Sequence, residues 1–284
     1  MKLHFKIATL LPLLFLAAGL GAAPEQQQGG AGTTSRAADK ADNALSPELQ
    51  RVLDALDKAN EKLKDVKAKV RYRREIPLLE ESQECDGSLA YMKPNLIHLK
   101  LEKPRNEELY TDGKMWWFVS HDDKQVEIYK VASGEQDADA EQKEGSGADK
   151  QAAPAPAEAS FLTFGYGQSS EKLLKQYRVT LESSGGPCGD EAAEEKAKES
   201  EAKVTCYRLR FEPRDKEAPA QFDAIETVVA DDLWLPREIV LYESKGEIVH
   251  TYQLRDIKLN SGLKTREFTY KPLPGYYVKP PESW

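Results

Sequence analysis

From Asp65 to Val119 the chain alternates apolar and polar residues, with few long apolar runs. Val66, Ala68, Val70 and Tyr72 fall on one side of a period-two pattern and Lys67, Lys69, Arg71 and Arg73 mostly on the other. This predicts a half-exposed strand over Asp65 to Ile76. Alternation resumes at Leu89 and Tyr91, breaks at Lys93-Pro94-Asn95, and continues through Ile97, Leu99 and Leu101. Asp112-Gly113 then supplies a two-residue hairpin turn before Trp116-Trp117-Phe118. The run from Gly87 to Val119 therefore reads as three strands with a hinge. Ahead of this region the period changes. Ser46 can cap, Pro47 suits the first helical position, and Leu49, Val52, Leu53, Leu56 and Leu63 share one stripe, predicting a helix over Pro47 to Lys64.

Downstream, Gln125 to Val131 reads as another strand, followed by an Ala, Asp, Glu, Gly and Pro segment over 132–159 that cannot bury enough apolar surface to order itself. Phe161-Leu162-Thr163-Phe164-Gly165-Tyr166 restarts the fold. Ser169 or Ser170 caps a short helix bearing Leu173, Leu174 and Tyr177, and Val179 and Leu181 begin a strand. A second charged segment over 183–203 is a solvated helix or a loose hairpin tip. The remainder predicts a meander: Val204 to Phe211, Phe222 to Ala230, Pro236 to Tyr242, Ile248 to Leu259 and Lys264 to Tyr270. Asp231-Asp232 and Lys245-Gly246 act as hairpin links. The Pro-rich ending, Pro272 to Pro281, is expected to run extended along the surface. The fold class is α+β: a long antiparallel sheet that twist makes curl, with two helices whose single apolar stripes belong on its concave face.

The N-terminus changes the compartment. Met1 to Lys6 is short and basic, Ile7 to Leu20 is apolar, and Gly19, Gly21, Ala22 and Ala23 are small, which together predict a secretory signal over residues 1–23. The apolar run is shorter than the ~20 residues of a membrane-spanning helix. The first cysteine is Cys85, so no lipid-anchor cysteine stands at the cleavage point. Residues 24–45 read as a disordered leader and 46–282 as one domain, exported and soluble. A net charge of −8 over 284 residues argues against nucleic acid as a partner. Of Cys85, Cys188 and Cys206, at most one intramolecular pair can form. All three unpaired is the default reading, and Cys188 with Cys206 is the favoured pair if one forms.

Enzyme chemistry finds no purchase in the sequence. His98, His121 and His250 are separated and read as satisfied strand or turn histidines. HExxH, GxSxG and phosphate-binding loops are absent, and Gly165-Tyr166-Gly167-Gln168-Ser169 lacks the glycine a nucleophile turn needs after its serine. No cofactor, no metal and no catalytic residue is expected.

A Gly-led strand at Gly87, the corner Lys93-Pro94-Asn95-Leu96, the turn Thr111-Asp112-Gly113-Lys114 and the aromatic strand Trp116-Trp117-Phe118 resemble the periplasmic outer-membrane lipoprotein carriers, the LolA-like proteins. The resemblance spans about residues 48 to 278 and is specific only over 87 to 119. The ending Pro272-Leu273-Pro274-Gly275-Tyr276 is similar to a poorly characterised branch of these proteins. The resemblance implies an incomplete antiparallel barrel with helices plugging its concave face, and a hollow that shelters lipoprotein acyl chains or another lipid. It implies Leu53, Leu56, Tyr91, Leu96, Leu99, Trp116, Phe118, Phe161, Leu162 and Phe164 as cavity residues. It also implies a lid latch at Lys93, where the family carries an arginine whose planar fork a lysine cannot reproduce. At ~0.8 kcal/mol per methylene, sheltering one C16 chain gains on the order of 10 kcal/mol, so release needs a moving lid. Envelope membrane proteins are the implied donors or acceptors, and the carrier is expected to act as a monomer. The alternative implied by the same fold is a lipid-sensing regulatory module that binds a membrane signalling protein.

Overall fold

The Ser46 hydroxyl accepts a hydrogen bond from the Leu49 amide at 3.1 Å and Pro47 opens the first turn, so helix α1 spans Pro47–Lys62. Leu49, Val52, Leu53 and Leu56 are buried along it, the stripe read from spacing. The structure, a computed structural model, describes residues 45–130, 166–186, 188, 204–215 and 222–279. The signal peptide, residues 24–44 of the leader, the 132–159 insertion, Phe161, Leu162 and Phe164 lie outside the described residues, as does most of 183–203.

Among the described residues, twelve strands follow the helix. The first six, β1 (Asp65–Ile76), β2 (Glu81–Met92), β3 (Leu96–Leu101), β4 (Glu107–Thr111), β5 (Met115–Ser120) and β6 (Gln125–Lys130), form one meander. Helix α2 (Ser170–Gln176), capped by the Ser169 hydroxyl, leads into β7 (Tyr177–Gly186). The second meander comprises β7, β8 (Cys206–Pro213), β9 (Ala224–Ala230), β10 (Leu235–Glu243) and β11 (Ile248–Leu259). β1 pairs with β11, joining the halves, and β12 (Tyr277–Lys279) adds to β6 in parallel. One sheet results, in the order β12-β6-β5-β4-β3-β2-β1-β11-β10-β9-β8-β7, antiparallel except where β12 meets β6. Open twisted sheets beyond ~10 strands curl. This sheet curls without closing, since β7 and β12 are both edges, and the result is an incomplete barrel of α+β class.

One apolar core fills the concave side. Val66, Val70, Tyr72, Leu89, Tyr91, Ile97, Leu99 and Leu101 pack with Ile239, Leu241 and Tyr252 and with the buried stripe of α1. On β1, Val66, Ala68, Val70 and Tyr72 are buried while Lys67, Lys69 and Arg71 are exposed, as the alternation predicts. A hairpin turn forms at Asp112-Gly113 but is longer than the two residues expected. Thr111 pairs with Trp116, so Asp112 to Met115 make the connection, because the Asp112 carboxylate accepts from the amides of Lys114 and Met115 at 2.8 and 2.9 Å and holds a wider loop, with Gly113 at φ 84°. Cys188 and Cys206 are disulfide-bonded and Cys85 is a free, buried thiol.

Three expectations about elements change. The run from Gly87 to Val119 holds parts of four strands, because β4, with Glu107-Glu108 at its start, interrupts the apolar alternation. β2 begins at Glu81, six residues before Gly87, because the polar stretch Glu81 to Asp86 pairs with the basic end of β1, with Arg71 and Glu84 in contact at 3.0 Å. Lys264 to Tyr270 is no strand: Thr265–Glu267 is a single 3-10 turn. The physical reason is that β11 is already paired on both sides, with β1 and β10, so the segment after it finds no free edge beside β11. The Pro-rich ending instead reaches β6 and pairs there through Tyr277 to Lys279.

Candidate functional site: the rim between helix and sheet

Few polar contacts hold the C-terminal half of α1. The Lys93 ammonium, from the corner between β2 and β3, donates to the carbonyl of Asn60 in the last turn of the helix, while the Lys93 amide donates to Lys64 O at 2.9 Å. Asn60, 8% exposed, continues the connection: its carboxamide accepts from Gly167 N at 3.4 Å and donates to Gln168 O at 3.5 Å. One turn earlier, the Asp57 carboxylate accepts from the amide and hydroxyl of Ser170, which ties α1 to the start of α2. On the other side, Asn260 fastens the exit of the helix, accepting from Lys64 N at 2.7 Å and donating to Lys62 O at 3.3 Å. The corner itself is braced by Tyr91, whose hydroxyl donates to Pro94 O at 3.1 Å and whose ring packs 5.6 Å from that of Tyr166. Gly167 approaches so closely that a Cβ there would lie 2.3 Å from the Tyr91 hydroxyl oxygen.

Sequence-derived cavity residues distribute unevenly. Leu53, Leu56, Tyr91, Leu99 and Trp116 all lie in the continuous core, and Phe118 is half-buried against it. Leu96 is half-buried on the face of β3 opposite Ile97 and Leu99. Where Leu99, Leu101, Leu109, Phe118 and Tyr252 meet, the remaining void is about 10 Å³, room for one water at most. Open volume lies elsewhere. A cavity of about 330 Å³ sits at the rim between α1 and the sheet, lined among others by Ala55, Ala59, Leu63, Leu233, Trp234 and Leu259. Trp234 stacks on Tyr207 with centroids 5.4 Å apart, and the Arg51 guanidinium lies 5.8 Å from the Tyr207 ring centre. Sequence reading missed this set. Its signals were Ala55 and Ala59, small residues one turn apart beside the apolar stripe, and the apolar run Leu233-Trp234-Leu235 directly after the Asp231-Asp232 turn.

The titratable groups have structural partners. His98 Nε2 and His121 Nε2 meet the two Glu108 carboxylate oxygens at 3.1 and 3.2 Å, Lys100 approaches at 3.0 Å, and Tyr110 donates to the same carboxylate. Burial acts to raise the Glu108 pKa, but the hydrogen bonds from His98, Tyr110 and Lys100 overcome it and hold the carboxyl well below the usual range. His121 also meets the Tyr276 hydroxyl at 2.8 Å, and His250 lies between Tyr72 and Glu243. Burial pushes the Cys85 thiol up to about 11 and the Tyr91 phenol well above its ordinary value. No group of three or more His, Cys, Asp or Glu among the described residues is placed to hold a metal ion. No helix among the described residues is long and apolar enough to cross a membrane.

No protein-family model and no curated protein matches the chain. Solved structures do. An uncharacterized conserved protein from Thermus thermophilus is 13% identical with a TM-score of 0.46, the match covering 82% of this chain and 99% of that one. A putative outer membrane lipoprotein-sorting protein domain from Vibrio parahaemolyticus is 12% identical with a TM-score of 0.36, covering 77% and 94%. The chain is likewise similar to a LolA superfamily protein from Nitrosomonas europaea, at 11% identity and a TM-score of 0.37, over 80% of this chain and 99% of the other.

Proposed function

We propose that this protein is an exported carrier or binding protein that shelters the acyl chains of a lipid or lipoprotein between α1 and the concave sheet. It acts without catalysis, by opening and closing. The observation that carries this reading is the apolar cavity of about 330 Å³ at the helix–sheet rim, adjoining a helix end held by a handful of polar contacts. Chains enter at the rim, and displacement of α1 exposes Leu53, Leu56, Tyr91, Leu99, Trp116 and Phe118 to them. Phe161, Leu162 and Phe164 are proposed to complete the contact surface. Lys93 serves as the latch, because its bond to the Asn60 carbonyl spans the moving helix and the fixed corner. The signal-like N-terminus and the Cys188–Cys206 disulfide support an exported site of action.

The test is native mass spectrometry of protein recovered from an oxidising export compartment, followed by titration with a fluorescent acyl probe. Co-purified lipid or saturable probe binding is the expected result. A protein that binds no acyl probe, or that turns over ester substrates, overturns the proposal, and capture of a membrane signalling protein without lipid favours a regulatory role instead.

A further inference from the structure

The rim cavity carries a statement about its ligand, which rests on the carrier reading above. Its floor and walls are apolar, formed by Ala55, Ala59, Leu63, Leu233, Trp234 and Leu259, but its lining also includes the lysines at 58 and 62. These lie one helical turn apart on α1, both exposed, and neither has an ion-pair partner among the described residues. The nearby carboxylates of the turn between β9 and β10 are already engaged: Asp231 accepts from Thr205 N at 2.9 Å and Asp232 pairs with Arg237. Two carbonyls of the last turn of α1, which would repel an anion, are covered as well. Asn60 O takes the Lys93 ammonium and Lys62 O takes the Asn260 amide. An apolar slot edged by two cations that form no ion pair suits a molecule with a hydrocarbon tail and an anionic head.

Size limits the tail. A cavity of 330 Å³ corresponds to on the order of ten chain carbons, taking a methylene as comparable to the ~30 Å³ share of a water molecule. That is the volume of part of one chain, not of three. We propose that the rim cavity binds a single-chain anionic amphiphile, a fatty acid or a lysophospholipid, with the tail against Trp234 and Ala59 and the head at Lys58 and Lys62.

Displacement of a fluorescent acyl probe by four competitors tests this: palmitate, lysophosphatidylglycerol, neutral monopalmitoylglycerol and a triacylated lipopeptide. Palmitate or lysophosphatidylglycerol is expected to compete best, which distinguishes a carboxylate from a phosphate head. The charge-reversed Lys58→Glu/Lys62→Glu protein is expected to weaken the anionic competitors by roughly three- to tenfold, the range for two exposed ion contacts, and to leave the neutral one unchanged. Ala59→Trp, which fills the slot from its half-exposed wall, is expected to weaken all single-chain competitors. Equal binding of neutral and anionic single chains, or no response to the charge reversal, overturns the head-group assignment. Tight binding of the lipopeptide alone overturns the single-chain proposal while leaving the carrier reading standing, and failure of every competitor and of the probe removes both.

Discussion

Removing the Lys93 ammonium tests the mechanical core of the carrier reading. In Lys93→Met the aliphatic stem is retained and the charged head is lost, so the Asn60 carbonyl loses its cationic donor while the backbone bond from Lys93 N to Lys64 O at 2.9 Å persists. A hydrogen bond to a charged donor contributes about 1.5–3 kcal/mol, and the half-buried setting of Lys93 brings the expected loss to about 1–2 kcal/mol. At about 1.4 kcal/mol per factor of ten, opening of the end of α1 should become about five to thirty times more frequent. Hydrogen exchange reads this directly. Amides of Leu56 to Leu63 should exchange faster by that factor, while amides of β1 and β2, buried in the sheet, should not change. Acyl-probe release should accelerate in parallel, and Lys93→Arg should restore slow exchange by supplying another cationic donor. Unchanged exchange at Leu56 to Leu63 in Lys93→Met would refute the latch, and uniform acceleration across the sheet would show a global destabilisation in its place.

Gly87 faces β3 at a point where an added Cβ would come 2.2 Å from the backbone carbonyl of Lys100, so Gly87→Ala should cost about 1–3 kcal/mol and lower Tm by several degrees in a thermal melt. Glu108 predicts an acid limb. Its folded pKa lies below the unfolded value of about 4.3, so its stabilisation is complete above that value and is lost as pH falls through it toward the folded pKa. Tm of the native protein should therefore fall below about pH 4, and Glu108→Gln should flatten that limb while lowering Tm at neutral pH. The Cys188–Cys206 bridge closes a loop of sequence separation 18, so Cys206→Ser should cost about 3 kcal/mol in denaturant unfolding, and a reducing agent should affect the native protein but not the variant.

Much of the fold was legible in the residues. Period-two alternation placed β1 at its observed bounds and assigned its faces, because Val66, Ala68, Val70 and Tyr72 must leave water while the intervening lysines and arginines must not. Capping residues located α1 and α2, since Ser46 and Ser169 satisfy amides that no helix can satisfy internally. β4 escaped notice because its Glu108 is buried among partners distant in sequence, chiefly His98, Lys100 and His121, and local hydropathy cannot register a neutralised carboxylate. Lys264 to Tyr270 misled in the opposite direction. Its composition suits a strand, but strand formation needs a free edge, and only the pairing order shows that none is left beside β11.

The candidate site divides along the same line. Sequence alone determined that the chain makes a long antiparallel sheet and two amphipathic helices, because periodicity and caps are local properties of neighbouring residues. It also singled out Lys93 and the corner around it. Tertiary structure decided that the Lys93 head meets Asn60, that Leu96 faces away from Leu99, and that on the face covered by α1 the open volume lies beside Ala55, Ala59 and Trp234, while the packing around Leu99 and Phe118 is tight. Cavities are where packing falls short between elements far apart in the chain, here α1 and the turn from β9 to β10. No local pattern encodes that shortfall, because it depends on the distance and angle at which a helix crosses a sheet.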